Sequence, residues 1–174
     1  MELKDIKQQF FTYRNGMLAD RLREVGDCHK VIFGLNLPQI VDIARMAGID
    51  KALSEQLWAN DTTRESRLIA PMLYPREQFQ ISTAREWIES VECVAAADIL
   101  CHRLLRYLDY AWQLCQEFSN AESDLCRYTA LRLAANLDAL DSIADPARLR
   151  HIAELELSRN CTLTAALANA ILTE

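Results

Sequence analysis

After Gly48 this chain of 174 residues contains no further glycine; its other three, Gly16, Gly26 and Gly34, also lie before that point. Leu, Ala, Arg and Glu dominate the remaining stretch, and β-branched residues are sparse there. Those four residue types are strong helix formers. The chain is therefore predicted to be all-α, and its length suits a single domain with a sizeable core, residues 1–174.

The segment Glu55–Leu73 shows how such helices pair. Ala52, Leu53, Leu57 and Trp58 form one apolar stripe. Asn60-Asp61-Thr62-Thr63 interrupts it with side chains that compete for backbone hydrogen bonds and favour turns. Leu68, Ile69, Met72 and Leu73 make a second stripe, with small Ala70 allowing close approach. Two short helices joined by about four residues form an antiparallel αα-hairpin. Neither buries its stripe alone, so further hairpins are required.

Residues 2–25 read as a helical arm, bent or divided at Gly16 and closed by Gly26-Asp27, so the arm spans 1–26. Residues 28–36 form a connector in which Val31, Ile32 and Phe33 are expected to be buried. Asn36 with Pro38 opens the next helix, Gly48 ends it, and Asp50 caps its successor. Thr83 and Glu86 have capping-box spacing and are expected to start a helix containing Trp87. Further helices are expected over Val94–Leu108, Tyr110–Phe118, 121–137, after Asp145-Pro146, and after a cap at Asn160. Three segments, Arg67-Leu-Ile-Ala-Pro-Met-Leu, Asp98-Ile-Leu-Cys-His-Arg-Leu and Arg127-Tyr-Thr-Ala-Leu-Arg-Leu, recur at intervals of about thirty residues. Residues 36–174 are thus read as a HEAT-like α-solenoid of stacked antiparallel helix pairs.

The net charge of −6 argues against a generally basic nucleic-acid binder but leaves room for a local basic face. Arg64/Arg67 and Arg103/Arg106 are pairs at i, i+3 and share a helix face within each pair. They read either as a phosphate-binding ridge or as a solvated surface balanced by Glu65, Glu86 and Glu89. The six cysteines form no CxxC, and with apolar neighbours they read as reduced, buried thiols. His29, His102 and His151 complete no zinc spacing, His102 reads as a surface residue, and neither a cofactor nor a metal site is expected. Trp58, Trp87 and Trp112 lie on apolar stripes and read mainly as core. No signal peptide or apolar run near membrane-spanning length is seen, which points to a cytoplasmic protein without a membrane partner.

Phe33-Gly34-Leu35-Asn36-Leu37-Pro38-Gln39, followed by Ile43-Ala44, resembles the opening of the DNA alkylation repair family of AlkD-type HEAT-like proteins. Leu57-Trp58, Glu65-x-Arg67-x-x-Ala70, and Trp87 followed by Asp98 extend the resemblance over residues 30–135. Active members are DNA glycosylases that excise cationic alkylated purines, using tryptophans and aspartate. Against the family's Trp-Trp-Asp-x-x-Asp outline, Ala96-Ala97-Asp98-Ile99-Leu100-Cys101 keeps the first aspartate. The resemblance puts Ala97 where an aromatic belongs and Cys101 where the catalytic carboxylate belongs. It puts Tyr128 at an arginine position, with Arg127 one residue earlier, and Asn169 near a C-terminal tryptophan position.

The resemblance therefore implies a DNA-binding or damaged-base-binding relative without the family's catalytic pair, with duplex DNA as partner. Arg64, Arg67, Arg103, Arg106 and Arg127 are its candidate DNA contacts, and Asp98 its candidate catalytic residue. A non-catalytic scaffold holding a protein on its concave face is the alternative. An active alkylpurine glycosylase built around Asp98, Arg103 and Arg127 is the third reading.

Overall fold

The computed structural model describes residues 1–140 and 143–173, and within them the chain divides into two compact units, Met1–Phe79 and Gln80–Glu174. Among the described residues the regular structure is entirely helical apart from one isolated bridge, Val31 to Thr63.

The first unit contains α1 (Leu3–Thr12), α2 (Gly16–Glu24), α3 (Leu37–Ala47), α4 (Lys51–Trp58), α5 (Arg64–Leu73) and a 3-10 turn at Arg76–Gln78. The arm is divided at Gly16, as its sequence suggests. Asn36 and Gln39 form a reciprocal capping box at the start of α3, and Asp50 accepts from the Leu53 amide to cap α4. The Ser54 hydroxyl donates to the Ala70 carbonyl (2.7 Å), and the Asp50 amide donates to the Leu73 carbonyl (2.9 Å). At the other end the Asn60 side-chain amide reaches the Ser66 hydroxyl (3.1 Å). These bonds fix α4 and α5 as the expected antiparallel hairpin. Leu57, Ile69, Ala70 and Leu73 are fully buried between them and their neighbours.

One carboxylate ties the connector to this hairpin. Glu65, wholly buried on α5, accepts from the backbone amides of Phe33 (3.1 Å), Gly34 (3.0 Å) and Leu35 (3.3 Å). Three successive amides converge because Gly34 turns the chain at φ +77°. A Cβ there would lie 2.1 Å from the Asn15 carbonyl oxygen and 2.7 Å from the Ala19 nitrogen. The bridge at Val31 runs alongside, with its amide donating to the Thr62 carbonyl and its carbonyl accepting from Arg64. That position leaves Val31 exposed rather than buried, while Ile32 enters the core as expected.

The second unit contains α6 (Ile81–Glu89), α7 (Val94–Arg103), a 3-10 turn at Leu105–Tyr107, α8 (Ala111–Phe118), α9 (Asp124–Asp138), α10 (Pro146–Ser158) and α11 (Thr162–Thr173). Helix α9 is its hub and packs on α6, α7, α8, α10 and α11. Leu131, Leu133, Ala134 and Leu137 are fully buried, so α9 is apolar over far more than one stripe. Ser123 caps it, and Asp145 caps α10 just before Pro146.

Four boundaries differ from the sequence reading. Helix α6 starts at Ile81, so Thr83 lies inside it and does not cap it. Helix α7 stops at Arg103 because the chain tightens into the 3-10 turn that follows. Helix α9 begins at Asp124, later than residue 121. Asn160 adopts φ 53°, the left-handed geometry that asparagine tolerates just beyond a helix end, and so follows α10 instead of opening α11. Trp58 and Trp87 are core residues, whereas Trp112 is half-buried and donates to the Ile143 carbonyl (2.9 Å). Cys101, Cys115 and Cys126 are buried thiols as expected, but Cys28 is exposed.

Replacing Glu65 by alanine leaves three buried amides without their acceptor, at roughly 1–3 kcal/mol each. Glu65→Ala is expected to lower unfolding stability by about 3 kcal/mol or more, seen as a fall in the urea midpoint. Glu65→Gln, which keeps one acceptor oxygen, is expected to lose less.

Candidate nucleic-acid interface

Helices α7 and α9 pack together and share a polar edge. Asp98 sits in the middle of α7, and Tyr128 and Arg132 lie one turn apart on α9. The Tyr128 hydroxyl donates to Asp98 Oδ1 (2.8 Å), and Arg132 Nε donates to the same oxygen (2.7 Å). Arg132 Nη2 also donates to the Tyr128 hydroxyl oxygen (3.1 Å), closing a triangle. The side chains of Asp98 and Arg132 are 37% and 33% exposed, whereas Tyr128 is buried. Burial pushes the Tyr128 phenol up to about 12, and the bond to Asp98 adds to that rise. Burial opposes the charge on Arg132, but Tyr128 and Asp98 outweigh it and raise its pKa.

One turn beyond Asp98 lies exposed His102, as its sequence context suggests, and its Nδ1 meets Arg106 Nη1 at 3.2 Å. Partial burial, then the charges of Arg106 and Arg103, push the His102 pKa down. Arg106 stacks against the exposed Tyr107 ring, 4.7 Å from its centroid, and donates to its hydroxyl (2.5 Å). Arg103 is half-buried and makes no hydrogen bond or ion pair with the described residues; the Nε atoms of Arg103 and Arg106 are both without an acceptor. This edge therefore carries Asp98, His102, Arg103, Arg106, Tyr107 and Arg132, with three guanidinium groups and one carboxylate.

The other predicted arginines turn inward. Arg64 donates to Asp27 Oδ2 (3.1 Å) and the Leu35 carbonyl (3.4 Å), with its side chain only 12% exposed. Arg67 is buried, with its guanidinium 4.3 Å over the Trp58 ring. Arg127 is buried in α9; it donates to the carbonyls of Ala121 (2.8 Å) and Glu122 (2.7 Å) and pairs with Asp124 and with buried Glu156. Arg67, Ala97 and Arg127 each occupy the fourth residue of a second helix, α5, α7 and α9, and all three are buried. The spacing of the three repeated segments is thus a register of the fold: the position shared by Arg67 and Arg127 falls in α7 on Ala97, one residue before Asp98.

Cys101 also faces inward. It is fully buried, its thiol lies 3.4 Å from the Thr129 carbonyl, and burial raises its pKa well above the ordinary thiol value. Asn169 is exposed on α11. Among the described residues no group of three His, Cys, Asp or Glu side chains can hold a metal ion, and no helix is long and apolar enough to cross a membrane. Sequence reasoning missed Arg132 and Tyr107. The recurrent segment Arg127-Tyr-Thr-Ala-Leu-Arg-Leu held the clue, since Arg132 follows Tyr128 at i, i+4 and so shares its face.

Helix pairs centred on α5 and α9, with no strand among the described residues, define an all-α HEAT-like repeat protein. The model of the family described as "DNA alkylation repair enzyme" matches residues 6–164, and the chain belongs to that family. A solved structure from "a new family of proteins related to the HEAT-like repeat DNA glycosylases with affinity for branched DNA structures" has the same fold. It superposes with a TM-score of 0.86 at 15% identity, covering 99% of this chain and 74% of that one. Comparison with curated proteins gives no match.

The triangle makes a prediction in alkali. Tyrosine ordinarily ionises near pH 10, and of the five tyrosines Tyr110 and Tyr128 are pushed up to about 12. Ultraviolet difference titration is expected to show late-ionising phenols, one of them removed by Tyr128→Phe. Because the unfolded phenol loses its proton first, the stability these groups contribute should fall as pH rises from about 10 towards 12.

Proposed function

We propose that this protein binds structured or damaged DNA on the α7–α9 edge and does not cleave the glycosidic bond. The observation that carries this reading is the state of Asp98. Its carboxylate is already paired with Arg132, while His102, Arg106 and Tyr107 beside it form a partly exposed cluster of cationic and aromatic groups bonded to one another. A carboxylate stabilises a developing sugar cation best when its charge is not already answered. Cys101, where the resemblance puts the family's catalytic carboxylate, is a fully buried thiol whose pKa burial raises, which supports the non-catalytic reading.

Arg103, Arg106 and Arg132 carry the phosphate contacts on this reading. Arg103 makes no hydrogen bond or ion pair with the described residues and Arg132 bonds through Nε and Nη2 only, whereas all three guanidinium nitrogens of Arg127 are bonded within the protein. Arg64 and Arg67 hold the first unit together instead. The affinity for branched DNA of the family represented by the solved neighbour supports junction-like DNA as the ligand. The six free thiols support a reducing, cytoplasmic setting.

Fluorescence anisotropy with duplex and junction DNA at several salt concentrations tests the proposal. Three phosphate contacts give a slope of log affinity against log salt of about −3, and Arg103→Ala with Arg106→Ala should flatten it by about 2. A protein that binds no DNA at low salt, or a complex indifferent to salt, would instead favour a protein-binding scaffold.

One observation favours a second reading, an active glycosylase: Asp98 is fixed in place and more than a third exposed. Release of an alkylated purine by the purified protein, abolished in Asp98→Asn, would establish that activity and remove the non-catalytic proposal.

A further inference from the structure

The outer face of α1 is unlike the rest of the first unit. Lys4, Lys7, Gln8 and Phe11 follow one another at helical spacing, and all are exposed. Phe11 is 51% exposed, although the buried side of the same helix, Ile6 and Phe10, already anchors it to the core. Arg14 folds back over the exposed ring, its guanidinium 3.9 Å from the centroid, and donates to the Phe11 carbonyl (3.1 Å). Tyr13 and Met17, beyond the end of α1 and at the start of α2, are also exposed. Glu2 is paired with Lys4, and Asp5 is tied to the Glu2 amide at the helix start.

We propose that this face binds the unpaired bases of a DNA branch or fork, with a base stacking on the Phe11–Arg14 platform and Lys7 and Lys4 taking its flanking phosphates. An exposed aromatic ring backed by guanidinium and followed by lysines fits single-stranded nucleic acid, since every base has a π face and every nucleotide a negative charge. A protein partner seeking only apolar surface would not need the cations. The inference rests on the DNA-binding reading above but uses residues of the first unit alone.

The test compares a fork with unpaired arms, a fully paired duplex and a single strand, each fluorescently labelled, against full-length wild type, Phe11→Ala, Phe11→Leu, Phe11→Trp and Arg14→Gln. Phe11 lies outside the core, so circular dichroism should show all variants folded. Phe11→Ala and Phe11→Leu are expected to weaken fork and single-strand binding about tenfold, a loss typical of one base stack. Phe11→Trp should retain binding, Arg14→Gln should fall between, and duplex affinity should stay unchanged. A 2-aminopurine placed in the unpaired arm should change its fluorescence on binding to wild type and not to Phe11→Ala. Variants that bind forks as well as wild type overturn this inference while leaving the α7–α9 reading intact, provided duplex binding is still lost in Arg103→Ala with Arg106→Ala. Equal losses on fork and duplex also overturn it, and failure of the wild type to bind any of the three DNAs overturns both.

Discussion

Glu65 is the residue on which the first unit most depends. A carboxylate buried to this depth is tolerable only when its lone pairs are met. Three consecutive amides meet them here, which in turn requires the left-handed turn at Gly34 and the close packing of that glycine on Asn15 and Ala19. One side chain thereby couples the connector, the start of α2 and the α4–α5 hairpin. Helix packing alone would not give that coupling, because apolar surfaces slide more readily than a set of three directed hydrogen bonds.

The second unit solves a similar problem with the signs reversed. Arg127 enters the core of α9 and is answered by Glu156 and by two carbonyls from the turn before the helix. Arg159 reaches the same glutamate and also donates to the Ser119 carbonyl (2.6 Å). Buried pairs of this kind contribute little net stability, but removing one partner is costly because the other charge is stranded. Their consequence for function is subtraction. Several arginines are spent on architecture, and the remaining cations of this acidic protein, net charge −6, stand among a larger number of carboxylates. A nucleic-acid surface on such a chain must be local, and the edge formed by α7 and α9 is where we propose it.

Much of the fold was legible from side-chain periodicity and caps. The Asn36, Asp50 and Asp145 caps, the division at Gly16 and the hairpin around Asn60 all follow from local chemistry, and local chemistry is what a single sequence displays. The Thr83 and Asn160 caps failed because each has an equally local competitor: Thr83 is also tolerated inside a helix, and Asn160 also suits a left-handed position. The site was less legible. An arginine reads the same in sequence whether its guanidinium meets solvent or a buried glutamate 29 residues away, so Arg127 and Arg103 could not be separated. Arg132 gained its meaning only when α9 was laid against α7 and brought it to Asp98. The residue before Asp98 illustrates the point: Ala97 shares the inward register of Arg67 and Arg127, a relation carried by helix starts and not by residue type.

The most direct test of the account is a titration of isotopically labelled protein with junction DNA, followed through backbone amide and arginine side-chain resonances. The account predicts that the strongest perturbations fall on His102, Arg103, Arg106, Tyr107 and Arg132, while Arg127 and the amides held by Glu65 stay in place. Perturbations centred on Arg64, Arg67 and Arg127 with the α7–α9 edge unmoved would contradict it.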